Sequence, residues 1–332
     1  MDLSISSDKQ FLCRWPCFHL QSLNLLVSSV MKMKIIPSIM CVFLYAFLAL
    51  LSVITICGNL LVIISVIYFK QLHTPTNSLI LSLAVADLLV GIIAFPLSMA
   101  FSLSSCLYHE GLFCKVRGTF DISLSTCSIL NLCCISIDRY HAVCQPLTYQ
   151  TKISHRVVVF MIMMSWGVSG IIGISVTIAG FNNEKCEESC LIDILMESTV
   201  GPMLSFYLPV TIMLCIYLKI FFVALRQARS IQNTKCGQTA SIKERKATKT
   251  LAIVLGVFIF CWSPCFLCIT FPPFTSDSVP VPVIETLNWL TLANSMLNPF
   301  IYAFFYSWFR SAIRMIICGK IFQGDFTNTN MT

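Results

Sequence analysis

Charged residues are scarce in this chain. Only 11% of its 332 residues are Asp, Glu, Lys or Arg, whereas 57% are hydrophobic and the mean hydropathy is +0.82. Soluble domains carry roughly 25% charged residues, so this composition excludes a soluble globular protein. Internal repeats and low-complexity tracts are also absent from the sequence. We therefore expect an integral membrane protein that forms one bundle with short loops.

Long apolar runs, in contrast, are plentiful. A helix that crosses a membrane needs about 20 largely apolar residues. Seven stretches meet this requirement, and they are called spans one to seven here. They cover approximately residues 37–68, 75–103, 114–142, 156–180, 198–225, 247–271 and 282–305. The sequence predicts an all-α membrane protein, a seven-transmembrane helix bundle whose termini lie on opposite sides.

The distribution of basic residues predicts the orientation of the bundle. With the N-terminus outside, the cytoplasmic segments hold 15 Lys or Arg and 3 acidic residues. The outer segments then hold 7 Lys or Arg and 10 acidic residues. Lys and Arg are retained on the cytoplasmic face during insertion. Residues 1–36 are thus predicted to be extracellular, 37–305 to form the bundle, and 306–332 to be cytoplasmic. The net charge of +7 reflects this topology and does not indicate a nucleic-acid partner.

Asp121 is the most informative of the few charges. It lies in an apolar stretch, seventeen residues ahead of the triplet Asp138-Arg139-Tyr140. An ionised carboxylate at membrane depth is costly, so this position predicts a partner and favours a cationic ligand. On a helix, Ser125 and Ser128 share the face of Asp121. The alternative is a carboxylate that is hydrogen-bonded to neighbouring helices without a ligand.

Polar, aromatic and proline residues occur at characteristic places on the spans. They are Gly58-Asn59, Asp87, Asp138-Arg139-Tyr140, Trp166, Pro209, Tyr217, Cys261-Trp262-Ser263-Pro264 and Asn298-Pro299-Phe300-Ile301-Tyr302. This set resembles the rhodopsin-like (class A) G-protein-coupled receptors over residues 38–322. The segments 69–77, 243–247, 294–299 and 302–310 further resemble the trace amine-associated receptors. Within that family, their sequences are most similar to the first subtype.

The resemblance implies a receptor for small cationic amines in the plasma membrane. It also implies that the ligand ammonium pairs with Asp121 and that a heterotrimeric G protein, of the stimulatory type, raises cyclic AMP. The ligand site implied by the resemblance and by the face of span three comprises Asp121, Ser125, Ser205, Trp262, Phe266 and Trp289. Helix packing alone is the alternative for the aromatic residues, and a bond to its own helix is the alternative for Ser205.

One position departs from the trace amine-associated receptors. Many of them carry a tyrosine on span seven that hydrogen-bonds the aspartate, where this chain has Leu292. We expect either an altered ligand preference or compensation by Trp289 and water. The runner-up function is a monoamine receptor of the serotonin or catecholamine type.

Transporters, channels and enzymes lack support in the sequence. A transporter shows paired repeats with broken helices, and a channel shows a filter or a charged ring. An intramembrane enzyme needs a second catalytic group near Asp121 or Asp87, and the sequence shows no such spacing. No cofactor is expected apart from a sodium ion that the resemblance implies. Its site comprises Asp87, Ser128, Asn294 and Asn298, and a water-filled polar network is the alternative.

The inner side of the bundle carries the residues that the resemblance assigns to activation and G-protein coupling. Arg139 is expected to pair with Asp138 or with Glu244, and the release of the second contact would let span six swing outward. The full set is Asp138, Arg139, Tyr140, Tyr217, Glu244, Phe258, Pro264, Pro299 and Tyr302. The prolines remove backbone hydrogen bonds and provide pivots, whereas core packing is the alternative for Phe258.

Most of the 18 cysteines lie inside the spans, where they act as small buried hydrophobes. Those predicted to face the oxidising outside are Cys13, Cys17, Cys106, Cys114, Cys186 and Cys190. We expect a bridge between Cys114 and Cys190, and a second one from Cys186 to Cys13 or Cys17. The connectivity is not determined by the sequence, and a free thiol is the alternative for the remainder.

A short amphipathic helix is predicted to follow span seven, from Phe304 to Phe322, on the inner leaflet. Its apolar side would consist of Trp308, Phe309, Ile313, Ile316 and Ile317, and its arginines would face lipid headgroups. Cys318 is a candidate for palmitoylation at its end.

Overall fold

The helices of the bundle follow the predicted spans. A computed structural model describes residues 35–103, 111–182, 203–231, 253–268 and 281–318. The first four spans comprise Ile35–Tyr68, then Pro75–Leu89 with Val90–Ala94 and Phe95–Leu103, then Gly111–Cys144, and His155–Asn182. The last three comprise Met203–Tyr207 with Leu208–Ile231, then Ile253–Cys268, and Val281–Phe305. A further helix covers Ser307–Ile317.

Apolar side chains cover the outside of the bundle, and its inside holds buried polar side chains together with apolar clusters. Phe160, Ile171 and Phe304 are exposed, whereas Asp87 and Asn298 are buried. In the described ranges, four helices are long and apolar enough to cross a membrane, and two shorter apolar helices cover Leu208–Val223 and Ile253–Cys268. An apolar outer surface around buried polar groups suits a lipid environment. The predicted all-α, multi-pass membrane bundle is confirmed, while the orientation of its termini stays a prediction.

Span two begins at a capped end and contains a π-helical turn. The Thr74 hydroxyl accepts a hydrogen bond from the backbone N–H of Asn77 (3.2 Å), and Pro75 occupies the first turn. At the π-helical turn Val90–Ala94, the carbonyl of Gly91 accepts a bond from the Ser52 hydroxyl of span one (2.9 Å). A bond from outside the helix thus satisfies a carbonyl where the regular pattern is interrupted.

Spans one and seven approach closely at a glycine and a proline. A Cβ atom added at Gly58 would lie 3.0 Å from Cβ and Cγ of Pro299. One residue later, the Asn59 amide donates to the carbonyl of Ser295 (3.1 Å) and to that of Thr55 (2.9 Å). The small residue lets the proline ring pack against the backbone of span one, and the amide links the two helices beside it.

The prediction for the helix after span seven was wrong about the residue at which the helix begins and about part of its orientation. Phe304 still belongs to the helix of span seven, and the new helix begins at Ser307, after the extended residue Tyr306. Phe309 is fully buried against Tyr302 and span one instead of facing lipid. Arg310 donates to the carbonyls of residues 303 and 304 (3.1 and 2.9 Å), which end span seven. Arg310 thus supplies donors to two carbonyls at the end of span seven, beside the point where the chain turns.

Candidate ligand and signalling sites

Asp121 is buried in the bundle and has a buried cation one helical turn before it. The side chains of Arg117 and Asp121 are only 2% and 5% exposed, and Arg117 Nε lies 3.5 Å from Asp121 Oδ2. Arg117 Nε also donates to the hydroxyl of Ser98 in span two (3.3 Å). Sequence analysis missed this role because it counted the arginine only as one of the outer basic residues. The i, i+4 spacing of opposite charges on one helix was the available signal.

Apolar side chains pack on the helix turn that follows Asp121. Leu124 forms a buried cluster with Phe95 and Leu292, and Trp289 packs against Phe95 with the ring centroids 5.6 Å apart. Leu292 therefore contributes packing where a tyrosine would offer a hydroxyl. Because little water reaches such a region, electrostatic interactions of a nearby charge are stronger there than in solvent.

A second aromatic group joins spans five and six. The rings of Phe206 and Phe266 stack with centroids 4.0 Å apart and planes inclined by 3°. Trp262 packs beside Phe266 at 6.1 Å, and Phe258 lies 6.0 Å from Trp262. The Tyr207 hydroxyl donates to the carbonyl of Phe266 (3.2 Å). The predicted aromatic wall thus consists of two groups, with Trp289 in the first and both Trp262 and Phe266 in the second.

The serines of the predicted ligand site have different surroundings. Ser125 is partly buried on span three, one turn from Asp121. Ser205 lies in the π-helical turn Met203–Tyr207, but its side chain is outside the described part of the structure. Ser128 points to span two and donates to Asp87 (3.1 Å). The face predicted for span three therefore carries Asp121 itself and, through Ser128, contacts a second acid, Asp87 of span two.

Asp87 accepts three hydrogen bonds from two other spans. Ser128 of span three and Ser295 of span seven donate to Oδ1 (3.1 and 2.8 Å), and Asn298 donates to Oδ2 (2.7 Å). All four side chains are buried. Among the described residues, the amide nitrogen of the buried Asn294 has no hydrogen-bond partner. Of the four predicted members of this cluster, three are directly joined.

The triplet at the inner end of span three forms a compact network. Arg139 contacts Asp138 through Nε (2.9 Å) and Nη2 (2.5 Å), and Nη2 also donates to Thr76. Thr76 donates to Oδ2 of Asp138 (2.9 Å), and the Tyr149 hydroxyl donates to Oδ1 (2.8 Å). Burial raises the pKa of the Tyr149 phenol, so this hydroxyl keeps its proton. The alternative partner, Glu244, lies outside the described residues.

The remaining predicted activation residues lie around this network. Ser136 donates to the Tyr217 hydroxyl (3.2 Å), which joins spans three and five. Tyr302 is buried and packs edge-on against Tyr306 and Phe309. Lys219 Nζ lies 5.7 Å from the ring centre of Tyr140. The role of these residues in activation stays a prediction.

The predicted disulfides fall outside the described residues. Cys13, Cys17, Cys186 and Cys190 belong to segments that the structure does not describe, and nothing is described of the Cys114 side chain. Within the described ranges, Cys127, Cys133 and Cys261 are buried free thiols, as expected of small hydrophobic side chains. Cys318 is exposed at the end of the last helix, so it is accessible to modification.

Comparison with known proteins agrees with the motifs. Residues 58–302 match the family model of the 7 transmembrane receptor (rhodopsin family). Trace amine-associated receptor 1 of Macaca mulatta is 45% identical over 303 residues, which cover 85% of this chain and 89% of the relative. Trace amine-associated receptor 2 of Rattus norvegicus is 43% identical over 300 residues, covering 86% and 88%. Trace amine-associated receptor 1 of Homo sapiens is 43% identical over 303 residues, covering 85% and 89%.

Proposed function

We propose that this chain, which belongs to the rhodopsin family of seven-transmembrane receptors and within it to the trace amine-associated receptors, binds amines in the plasma membrane. Membership in a receptor family also establishes that the chain is not an enzyme. In our proposal Asp121 is the counter-ion of the ligand ammonium. The single observation that supports it best is a carboxylate only 5% exposed inside a bundle of apolar helices.

The chemistry of the surroundings suits an ammonium with an apolar body. A bound cation favours the ionised form of a buried carboxylate, which desolvation alone would disfavour. In our proposal the ligand also meets aromatic side chains, which are Trp262 and Phe266 of span six and Trp289 of span seven. Each aromatic face attracts a cation by about 0.5–2 kcal/mol. A small amine with an aromatic or aliphatic group therefore fits this region.

Signalling in our proposal passes through the inner network of span three to a G protein of the stimulatory type, which raises cyclic AMP. Arg139 is held by Asp138 and Thr76 in the structure. In the active state Arg139 would leave these partners and meet Tyr217 and Tyr302 when span six moves outward. The ligand acts by binding the active arrangement more tightly than the resting one.

A sodium ion fits the cluster around Asp87. The carboxylate, the hydroxyls of Ser128 and Ser295 and the amide oxygens of Asn294 and Asn298 form a hard oxygen set, which small hard cations prefer. A bound ion offsets the cost of burying the charge of Asp87. We propose that the ion stabilises the resting arrangement. The three side chains that bond to Asp87 of span two come from spans three and seven, so an ion bound there would hold these three spans together.

The test of the proposed function is an amine panel on the intact receptor. Phenethylamine, tyramine, aliphatic amines, serotonin and dopamine are applied to cells that express the wild type, Asp121→Ala or Asp121→Glu, and cyclic AMP is measured at matched surface abundance. We expect Asp121→Ala to lose at least about a hundredfold in potency, since removing one partner of a buried ion pair costs about 3–5 kcal/mol. Asp121→Glu keeps the charge and should recover part of the response. Equal potency in all three proteins would contradict the proposal.

A further inference from the structure

A cavity of about 540 Å³ lies at the inner end of the bundle, beside the network of Arg139. Residues 74–76 at the start of span two contribute to its lining, together with Arg139 of span three. The short helix Tyr149–Lys152 contributes its first two residues, and span four contributes its first residue, His155. The cavity therefore joins the inner ends of three spans to the segment between spans three and four.

The cavity meets the positive side of the ion pair between Arg139 and Asp138. The side chain of Arg139 is 22% exposed and lines the cavity, whereas that of Asp138 is 0% exposed. The Oδ2 atom of Asp138 accepts from Arg139 and Thr76, and its Oδ1 atom accepts from Tyr149. A group that enters the cavity can reach the arginine but not the carboxylate, so a negatively charged group is favoured there.

Further basic residues adjoin the cavity along the chain. Lys152 and Arg156 are exposed and flank the lining residues 153–155. The sequence has no Asp or Glu in residues 139–157 or in residues 69–77, which lead into span two. Charges of one sign around a recess raise the local concentration of ions of the opposite sign. Arginine binds phosphate groups in a paired geometry, so a phosphate-bearing ligand suits this cavity.

The basic end of span four continues directly into an apolar, exposed face. Arg156, Phe160 and Met163 follow one another at i, i+4 and i+7, so they lie on one face of the helix. All three are exposed, Phe160 to 65% and Met163 to 67%. A soluble anion would use only the basic groups, whereas a lipid with an anionic headgroup would use both the basic end and the apolar face. This continuity favours a lipid.

We propose that the cavity binds the headgroup of an inositol phospholipid of the inner leaflet, whose phosphates meet Arg139, His155 and Arg156. These groups come from two helices, so a headgroup with several phosphates matches them better than one with a single phosphate. The bound headgroup stabilises the arrangement in which Thr76 and Tyr149 bond to the ion pair, and it thereby lowers basal signalling. The inference is independent of the amine site and takes this end of the bundle to be cytoplasmic.

The first experiment measures binding to the purified full-length receptor in detergent. The probes are dioctanoyl phosphatidylinositol bisphosphate, dioctanoyl phosphatidylserine with its single phosphate, and inositol trisphosphate, which has no acyl chains. Affinity is read from the rise of the melting temperature with ligand concentration. The wild type is compared with the double variant His155→Gln, Arg156→Gln. Arg226→Gln removes another exposed arginine, near the end of span five, and is the matched control.

We expect the wild type to bind the bisphosphate lipid at least about tenfold more tightly than either phosphatidylserine or inositol trisphosphate. The double variant should lose about tenfold in affinity for the bisphosphate lipid, and Arg226→Gln should keep the wild-type affinity. In phosphatidylcholine nanodiscs without agonist, adding phosphatidylinositol bisphosphate should slow receptor-dependent nucleotide exchange on a stimulatory G protein. Receptor-free nanodiscs supply the background rate.

Three results would overturn the inference. Equal affinity for inositol trisphosphate and the lipid would show that a free anion binds and that the apolar face contributes nothing. An equal loss in Arg226→Gln and in the double variant would reduce the effect to general surface charge. Basal exchange that stays constant or rises with the lipid would contradict a ligand of the resting arrangement. The wild-type comparisons decide even if the double variant does not fold, and none of these results bears on the amine site.

Discussion

The amide of Asn298 in span seven donates a hydrogen bond to the carboxylate of Asp87 in span two, with Nδ2 2.7 Å from Oδ2. Ser295, one turn earlier, donates to the other oxygen of the same carboxylate (2.8 Å). Span seven is thus bound to Asp87 at two places just before Pro299, the proline inside its helix. A change at Asp87 is expected to reach the inner half of span seven directly.

Replacing Asp87 with Asn should abolish the effect of sodium on agonist potency. In the wild type, replacing choline chloride with sodium chloride at constant ionic strength should lower agonist potency, because sodium favours the resting arrangement of the cluster around Asp87. The Asn variant has no charge for the ion to balance, so its potency should be the same in both salts. Cyclic AMP dose–response curves in the two salts measure this effect.

Ser65→Ala is the control for the sodium experiment. Ser65 is also a buried polar residue, but its hydroxyl donates to the carbonyl of Leu61 within span one. Its variant should keep the wild-type difference between the two salts. Sodium sensitivity that persists in Asp87→Asn would show that the ion acts elsewhere.

Replacing Gly58 with Ala should destabilise the bundle. The added Cβ would lie 3.0 Å from two atoms of the Pro299 ring, which is rigid and cannot move aside. Overpacking of this kind typically costs about 1–3 kcal/mol. The melting temperature of the purified receptor in detergent should fall accordingly.

Gly167→Ala is a matched control for the packing prediction. Gly167 also lies inside a spanning helix, and no atom would lie within 4 Å of an added Cβ there. Alanine is intrinsically better than glycine in a helix by up to about 1 kcal/mol. This variant should therefore melt at the wild-type temperature or above it. Equal losses in both variants would mean that the contact with Pro299 is unimportant.

Replacing Tyr149 with Phe should raise basal signalling. The variant loses the hydrogen bond of 2.8 Å to Asp138 Oδ1 but keeps the ring. A bond to a charged group contributes about 1.5–3 kcal/mol, so its loss loosens the network that holds Arg139. The equilibrium between resting and active arrangements should shift by about tenfold or more, since 1.4 kcal/mol is a factor of ten, and basal cyclic AMP at matched surface abundance should rise with it.

Thr151→Ala is the control for the Tyr149 prediction. It lies on the same short helix, and its hydroxyl donates to the carbonyl of Thr148 (2.8 Å). Basal signalling should stay at the wild-type value in this variant. An unchanged basal level in Tyr149→Phe would show that the phenol does not restrain the resting state.

Some features of this site follow from the sequence because they depend on neighbours along one helix. The length of each apolar run predicts a spanning helix, and Ser125 and Ser128 follow Asp121 on one face at any packing of the bundle. The i, i+4 relation of Arg117 to Asp121 is of the same local kind. The hydrogen bond of Arg117 to Ser98, nineteen residues earlier on another span, is instead a product of the tertiary structure.

The sequence by itself determined the membrane-spanning bundle, since the amount and periodicity of apolar side chains decide whether a helix can enter lipid. Only the tertiary structure decided which faces meet. It placed Trp289 with Phe95 instead of Trp262, and it turned Phe309 toward Tyr302. Such contacts depend on the rotation of each helix and on shape complementarity between distant segments, which no local pattern records.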